Sequence, residues 1–132
     1  MNKVAARFAD GRVVKGTTLD FSPSKHVFHV TEATRPLGTN SMPIHTIDLK
    51  ALFFVKSLVG DPEHVEKNEF DSAPSPGERR ICAAFRDGEI LKGTTADYSP
   101  GLPGFFLVPA DPESNIERCY VVASATKEVN FV

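Results

Sequence analysis

A four-residue phrase that combines a carboxylate, an aromatic ring and a hydroxyl occurs twice in this chain of 132 residues. It reads DFSP at residues 20–23 and DYSP at residues 97–100. A carboxylate and a hydroxyl beside a ring can hold a small polar ligand or the backbone of a partner peptide. The same residue types also form turns in which the aspartate bonds nearby backbone groups and the ring packs inward. The candidate binding residues in these phrases are Asp20, Ser22, Asp97 and Ser99.

A lysine and a threonine recur together just before each phrase. Lys15 and Thr17 in the first copy correspond to Lys92 and Thr94 in the second. Residues two apart on a strand point to the same face, so each pair shares one face of a predicted strand. The two pairs would form a pseudo-symmetric binding surface, or each pair would lie on a solvated outer face.

The residue pattern gives little support to metal or covalent chemistry. His26 and His29 are three apart on a predicted strand and therefore face opposite sides. Cys82 and Cys119 are too few for a disulfide framework, so we expect reduced thiols in core positions. No G-x-S-x-G elbow, P-loop or HExxH helix occurs. We expect a protein with no metal, no cofactor and no enzymatic activity.

Composition and charge narrow the class of protein. Hydrophobic residues make up 41% of the chain, which is typical of a globular protein. Fifteen basic and 17 acidic residues give a net charge of −2, which makes nucleic acid an unlikely partner. No apolar run is long enough to cross a membrane, and the first residues lack the apolar core of a secretory signal. We therefore expect a cytoplasmic protein that does not bind membranes.

The chain contains an internal duplication. Residues 4–23 align without a gap on residues 81–100, and 11 of these 20 positions are identical. This indicates two copies of one unit, at residues 1–60 and 79–132. The acidic, proline-containing stretch at residues 61–78 is predicted to be a linker.

Each unit is predicted to contain five short strands and no long helix. Asp10-Gly11 and Asp87-Gly88 predict two-residue hairpin turns. Gly16 predicts a bulge or bend in the second strand. In the first unit the expected strands are at residues 4–8, 13–18, 27–31, 44–47 and 52–56, with a helical turn at 48–51. We predict an all-β fold, a tandem duplication of a small five-stranded SH3-like or Sm-like barrel.

Two resemblances accompany this pattern. The Asp-Gly hairpin, the Lys-Gly pair of the second strand and the phrase IDLKA at residues 47–51 resemble Sm-like barrels, including the Hfq type. The phrases FxDGxxxKGxTxDFSP and LKALFFVK resemble an uncharacterised bacterial domain family. The first resemblance implies a barrel fold, and the second implies no activity.

The last strand of the first unit is apolar on both faces. Its residues 52–55 read LFFV, and we align them with the polar alternation TKEV at residues 126–129. A strand that is apolar on both faces needs cover on both faces. Phe53 or Phe54 is therefore expected to lie at an interface, either with the other barrel or with a second chain in a homodimer.

These observations favour a non-catalytic binding or regulatory module that acts through protein–protein interaction with an unidentified partner protein. Two alternatives stay open. An Sm-like barrel suggests RNA binding, although the acidic balance opposes it. The repeated DFSP and DYSP phrases suggest a sensor of a small ligand.

Overall fold

The computed structural model describes residues 2–33, 41–60, 69–70 and 76–132, and this part of the chain is all-β. It forms one sheet of ten strands, each antiparallel to its neighbours. The strands are β1 (Asn2–Phe8), β2 (Val13–Thr18), β3 (Val27–Glu32), β4 (Met42–His45), β5 (Leu49–Val55), β6 (Arg79–Phe85), β7 (Ile90–Thr95), β8 (Gly104–Pro109), β9 (Ile116–Val122) and β10 (Thr126–Phe131). Two 3-10 helices of three residues each, Thr46–Asp48 and Ala123–Ala125, precede β5 and β10. No helix among the described residues has the length and apolar character to cross a membrane.

The two halves of the chain have the same order of elements, and their strands lie in one continuous sheet. Across the sheet the order is β10-β6-β7-β8-β9-β5-β1-β2-β3-β4. The fifth strand of the first half, β5, therefore lies beside the fourth strand of the second half, β9. We call the β5–β9 pair the seam. The linker predicted at residues 61–78 lies largely outside the described residues.

The two faces of the seam fill two different hydrophobic cores. Side chains alternate between these cores along both strands: the second-half core receives Ala51, Phe53, Cys119 and Val121, and the first-half core receives Leu52, Phe54, Tyr120 and Val122. Phe53 and Phe54 are each only 4% exposed. The LFFV run is apolar at every position because each of its faces excludes water from a separate core.

A buried lysine ties the seam to the second half. Lys50 lies on β5, and its ammonium donates to Asp87 Oδ2 at 2.7 Å and to a carboxylate oxygen of Glu89. The ammonium also lies 4.7 Å from the centre of the Phe85 ring. Asp87 and Glu89 belong to the β6–β7 hairpin, so one first-half side chain binds two points of the second half. The hydrogen bond from Lys50 lowers the pKa of Asp87.

The predicted ends of the fourth and fifth strands were wrong by two to three residues. The fourth strand is Met42–His45 rather than 44–47, and the fifth begins at Leu49 rather than at 52. The turn between them is the 3-10 helix Thr46–Asp48. Apolar residues on both faces of β5 remove the period-two alternation from which strand limits are predicted.

The alignment of the two fifth strands also needs correction. β5 pairs with β1, and β10 pairs with β6, the first strand of the second half. These two pairings align residues 52–55 with residues 129–132, not with 126–129. Asn130 therefore occupies the position of Phe53, and Phe131 the position of Phe54. Backbone pairing with the first strand of each half fixes this register. It has the same offset of 77 residues as the first part of the repeat, and it aligns Lys50 with Lys127, Phe54 with Phe131 and Val55 with Val132.

The Asp-Gly hairpins have three-residue loops, not two-residue loops. The Phe8 amide donates to the carbonyl of Arg12 at 2.9 Å, and the Gly11 amide donates to the carbonyl of Phe8 at 3.1 Å. Gly11 has a φ of 98°, while Asp10 has a negative φ. This is a tight turn followed by a glycine in the left-handed region.

The close approach of the second and third strands in each half requires glycine at positions 16 and 93. The β1–β2 pairing continues through Gly16 without a bulge, contrary to the bulge alternative. A Cβ at Gly16 would lie 2.0 Å from the carbonyl oxygen of Thr31, and a Cβ at Gly93 would lie 2.0 Å from that of Val108. Only glycine lets the second and third strands of each half approach so closely.

We expect Gly16→Ala and Gly93→Ala each to lower the free energy of unfolding by about 2–3 kcal/mol, because the added methyl must displace backbone. Urea denaturation of the purified variants measures this loss. Lys15→Ala is the matched control on the same strand, and an exposed site should change stability by less than about 0.5 kcal/mol. If Gly16→Ala were as stable as this control, the close approach would not constrain the fold.

Candidate functional site

The first candidate residue, Asp20, joins the turn after β2 to strand β3. Backbone pairing of β2 with β3 reaches only to Thr17. Beyond it, the Thr18 hydroxyl donates to the carbonyl of His29 at 2.7 Å, and an Asp20 oxygen accepts from the His29 amide at 2.9 Å. Beyond Thr17, the side chains of Thr18 and Asp20 therefore make the bonds to β3 that backbone groups of β2 would make in a continuous sheet. We call this arrangement the Thr-x-Asp clasp.

The second half contains the same clasp. The Thr95 hydroxyl donates to the carbonyl of Phe106 at 2.7 Å, and Asp97 accepts from the Phe106 amide at 3.1 Å. Both threonines are buried. Phe21 and Tyr98, which follow the aspartates, pack against the first-half and second-half cores respectively. The duplicated G-T-T-x-D phrase therefore encodes a backbone connection.

The serines of the two phrases make only local contacts among the interactions of the described residues. The Ser22 hydroxyl lies 2.9 Å from the hydroxyl of Ser24. The Ser99 carbonyl accepts from the Leu102 amide at 3.3 Å. Ser22, Ser99, Asp20 and Asp97 do not line the groove beside the seam that is described below.

The two clasps differ at the residue that is held. His29 in the first half also bonds through its ring Nδ1 to Asp20 Oδ2 at 2.8 Å. The second half has Phe106 at this position, which offers only its backbone amide. The His29 ring, and next its amide, lower the pKa of Asp20.

The structure separates the two lysine–threonine pairs. Lys15 lines a groove beside the seam, whereas Lys92, Thr17 and Thr94 do not. Lys15 stands opposite Ala5 of β1, while its counterpart stands opposite Cys82 of β6. The duplicated pairs therefore do not meet in that groove.

The groove is lined by β1, β2 and the end of β5 from the first half, and by the segment that leads into β9 from the second half. Its volume is about 600 Å³. We call it the seam groove. Its apolar wall includes Phe53, Val55 and Ile116, and its cationic side chains are Arg7, Lys15 and Lys56. Glu113 is the one acidic residue among the described residues that line it. The groove thus combines an apolar surface with an excess of positive charge.

Arg7 is positioned by a ring. It lies on β1, one residue before a register shift in the β1–β5 pairing, and its guanidinium carbon is 5.0 Å from the centre of the Phe53 ring. This distance is typical of a cation–π contact. Among the described ion pairs, none joins a carboxylate to Arg7, Lys15 or Lys56. The three cations therefore remain available to an incoming anion.

Asn115 holds the rim of the seam groove. Its side-chain Oδ1 accepts from the Ser57 amide at 2.9 Å, and its Nδ2 donates to the Ser57 carbonyl at 2.8 Å. The Asn115 carbonyl accepts from the Lys56 amide at 2.8 Å. These bonds continue the seam beyond its strands and fix the backbone that carries Lys56.

Sequence reasoning found Lys15 but missed Arg7, Lys56 and Asn115. None of these three has a counterpart of the same type in the other copy, so the internal repeat does not mark them. Lys56 follows β5 and Asn115 precedes β9, whereas Arg7 lies on β1 beside β5, so no shared sequence signal marks the three.

The groove offers binding groups but no evident catalytic set. Its serine hydroxyls bond to the backbone, Ser57 with the Gly60 amide at 3.4 Å and Ser114 with the Ile116 amide at 3.0 Å. No histidine or cysteine is among the described residues that line it. Across the described ranges, no group of three or more His, Cys, Asp and Glu side chains is placed to hold a metal ion.

Comparison with known proteins assigns a family. The sequence model described as a family of unknown function (DUF6982) matches residues 1–132, so the chain belongs to this family over its whole length. No curated protein and no solved structure matches it.

We expect Asp97→Ala to lower the free energy of unfolding by about 1–2 kcal/mol, because the Phe106 amide loses its charged acceptor. Ser99→Ala, two residues away in the same phrase, is the control and should change stability by less than about 0.5 kcal/mol. Urea denaturation of both variants measures the difference. Equal stability of the two variants would contradict the prediction that the clasp stabilises the fold.

The first clasp should make stability depend on pH. Because folding lowers the pKa of Asp20, its contribution is complete above the unfolded value of about 4 and is lost as pH falls through the folded value. Wild type should therefore exceed Asp20→Asn in stability at pH 5, and the gap should narrow as pH falls below about 4. Denaturation of both proteins across this range measures the gap. A gap that stayed constant down to pH 2 would contradict the assignment.

Proposed function

We propose that this member of a family of unknown function is a non-catalytic binding module that takes a small anionic ligand in the seam groove. The observation that carries the proposal is that three cations, none of which joins an ion pair among the described residues, line one groove of about 600 Å³. That volume lies in the usual range for small-molecule sites, which combine apolar walls with a few polar groups.

Electrostatics favours an anion as the occupant. Arg7, Lys15 and Lys56 repel one another across a partly enclosed space, and a bound anion converts this repulsion into attraction. Arginine and lysine form their strongest hydrogen bonds with carboxylate and phosphate oxygens. The Phe53 ring and the aliphatic side chains that line the groove would contact an apolar part of the same ligand.

The position of the groove supports a sensor. Its residues come from β1 and β2 of the first half, from the end of β5, and from the segment that leads into β9 of the second half. A ligand in the groove would touch both halves and bind only their folded arrangement. Such a ligand raises the free energy of unfolding.

The other functions considered from sequence rest on less. RNA binding would need a continuous basic surface to follow phosphates, and the net charge of the chain is −2. Three of its cations line the seam groove, which is the size of a small-molecule site. None of the described surfaces of this chain argues for a different protein as its partner. We retain it as the function to test if no small anion binds.

We also infer that each half is a small barrel of the Sm-like kind and that the protein works in the cytoplasm. Support for the barrel comes from the five strands of each half, the 3-10 helix before the last one, and the pairing of the first strand with both the second and the fifth. Support for the compartment comes from Cys82 and Cys119, neither of which is in a disulfide bond.

Thermal-shift assays against inorganic pyrophosphate, citrate, phenyl phosphate and adenosine monophosphate should find at least one probe that raises the melting temperature. For that probe, Lys15→Gln and Lys56→Gln should each weaken binding by about tenfold in isothermal calorimetry, the effect of losing one charge-assisted hydrogen bond.

Lys92→Gln is the matched control, because it removes the duplicate of Lys15 outside the groove. It should leave the dissociation constant unchanged. The proposal fails if none of the four anions binds, or if Lys92→Gln weakens binding as much as Lys15→Gln does.

A further inference from the structure

The three cations of the seam groove are a neighbouring pair and a separate third. Arg7 and Lys15 belong to β1 and β2, whose pairing sets Ala5 opposite Lys15. Arg7 is two residues from Ala5, so it is the diagonal neighbour of Lys15 on the same face of the sheet. Lys56 instead follows the end of β5. The pair and the third cation are therefore held by different elements of the fold.

Ala5 leaves room for an anionic group beside the paired cations. The pairings of β1 with β2 and with β5 set Lys15, Ala5 and Phe53 side by side in one row. Neighbouring strands are about 4.8 Å apart, so about 10 Å separates the backbones of Lys15 and Phe53. The alanine methyl fills little of this gap, and the Arg7 guanidinium lies against the Phe53 ring. An anionic group over Ala5 would therefore meet Lys15 on one side and Arg7 on the other.

Lys56 stands at the end of the groove away from this row. It follows Phe53 by three residues, which corresponds to about 10 Å along a strand. Its amide donates to the carbonyl of Asn115 at 2.8 Å, which fixes its backbone at that distance. Lys56 also lines a smaller cavity of about 210 Å³, together with Lys3 and Glu117. The other two cations of the groove do not line that cavity.

Apolar side chains lie between the two places. Phe53, Val55 and Ile116 line the groove and pack on the second-half core. Val55 pairs with Ile116 across the seam. No charged residue occurs in the chain between Phe53 and Lys56. A hydrocarbon segment would be covered here, whereas a charged group would lose water without gaining a partner.

We propose that the ligand of the seam groove is an elongated dianion, with two anionic groups about 10 Å apart on an apolar segment. One anionic group binds Arg7 and Lys15, and the second binds Lys56. The apolar segment lies against Phe53 and Val55. This inference rests on the function proposed above, because it names the class of anion that the same groove takes.

Glu113 makes the two ends of the groove unequal. It is exposed and lines the groove two residues before Asn115, whose carbonyl accepts from the Lys56 amide. Repulsion between the Glu113 carboxylate and the second anionic group reduces affinity at that end. Arg7 and Lys15 therefore form the stronger end, and Lys56 selects ligands that are long enough to reach it.

Isothermal calorimetry of the full chain with linear dicarboxylates, from succinate to sebacate, tests this proposal. Affinity should be highest at an intermediate length such as that of suberate, because a short chain cannot reach both cationic ends and a long chain must fold. Suberate should bind about tenfold more tightly than octanoate, which has the same number of carbons but only one carboxylate.

Three variants assign this selectivity to the groove. Lys56→Gln should remove most of the advantage of suberate over octanoate, because the second carboxylate loses its cation. Lys92→Gln makes the same change outside the groove and should preserve that advantage. Glu113→Gln should instead increase the affinity for suberate by about twofold to fivefold, because it removes a like charge.

The outcomes separate this inference from the function on which it rests. The inference alone is overturned if suberate and octanoate bind equally, if affinity does not depend on chain length, or if Lys56→Gln keeps the advantage of suberate. It also fails alone if one of the four anions tested above binds but no dicarboxylate does. If neither those anions nor any dicarboxylate binds, both the inference and the proposed function are overturned.

Discussion

The rest of the structure depends on the antiparallel pairing of β5 with β9. Each strand contributes alternate side chains to two separate cores, so neither half can bury its apolar residues without the other. A unit of fewer than 60 residues buries too small a fraction of its surface to be robust alone, and sharing two strands offsets that deficit. Lys50 adds a polar connection at one end of the seam, and Asn115 adds another at the opposite end.

The two halves share one order of elements, and the seam places equivalent residues in different surroundings. Lys15 lines the seam groove, whereas Lys92 does not. Phe53 is enclosed by the second-half core, and its equivalent Asn130 lies on an outer strand. A residue conserved between the two copies therefore marks the common framework more readily than it marks a binding site. Of the three cations that line the seam groove, only Lys15 has a counterpart of the same type in the other copy.

Local chemistry accounts for what could be predicted. The Asp-Gly hairpins and the glycines of β2 and β7 require backbone geometries that few other residues adopt, so their sequences signal turns and close approaches. The limits of β4 and β5 could not be predicted, because β5 is apolar on both faces and has no alternation. The aspartates of the DFSP and DYSP phrases were assigned to turns or ligands, yet they hold strand residues nine positions away. Sequence spacing does not reveal such a contact.

The sequence by itself determined the all-β class, the repeated unit and the need to cover both faces of the LFFV strand, because these follow from periodicity, identity between copies and the cost of exposing apolar surface. Only the tertiary structure decided which strand covers β5, and hence where the seam groove lies. Strand pairing is made by backbone groups that all residues except proline carry in full, so a sequence does not state the partner. The groove has no motif for the same reason: Arg7, Lys15 and Lys56 come together only after β5 has paired with β1 on one side and β9 on the other.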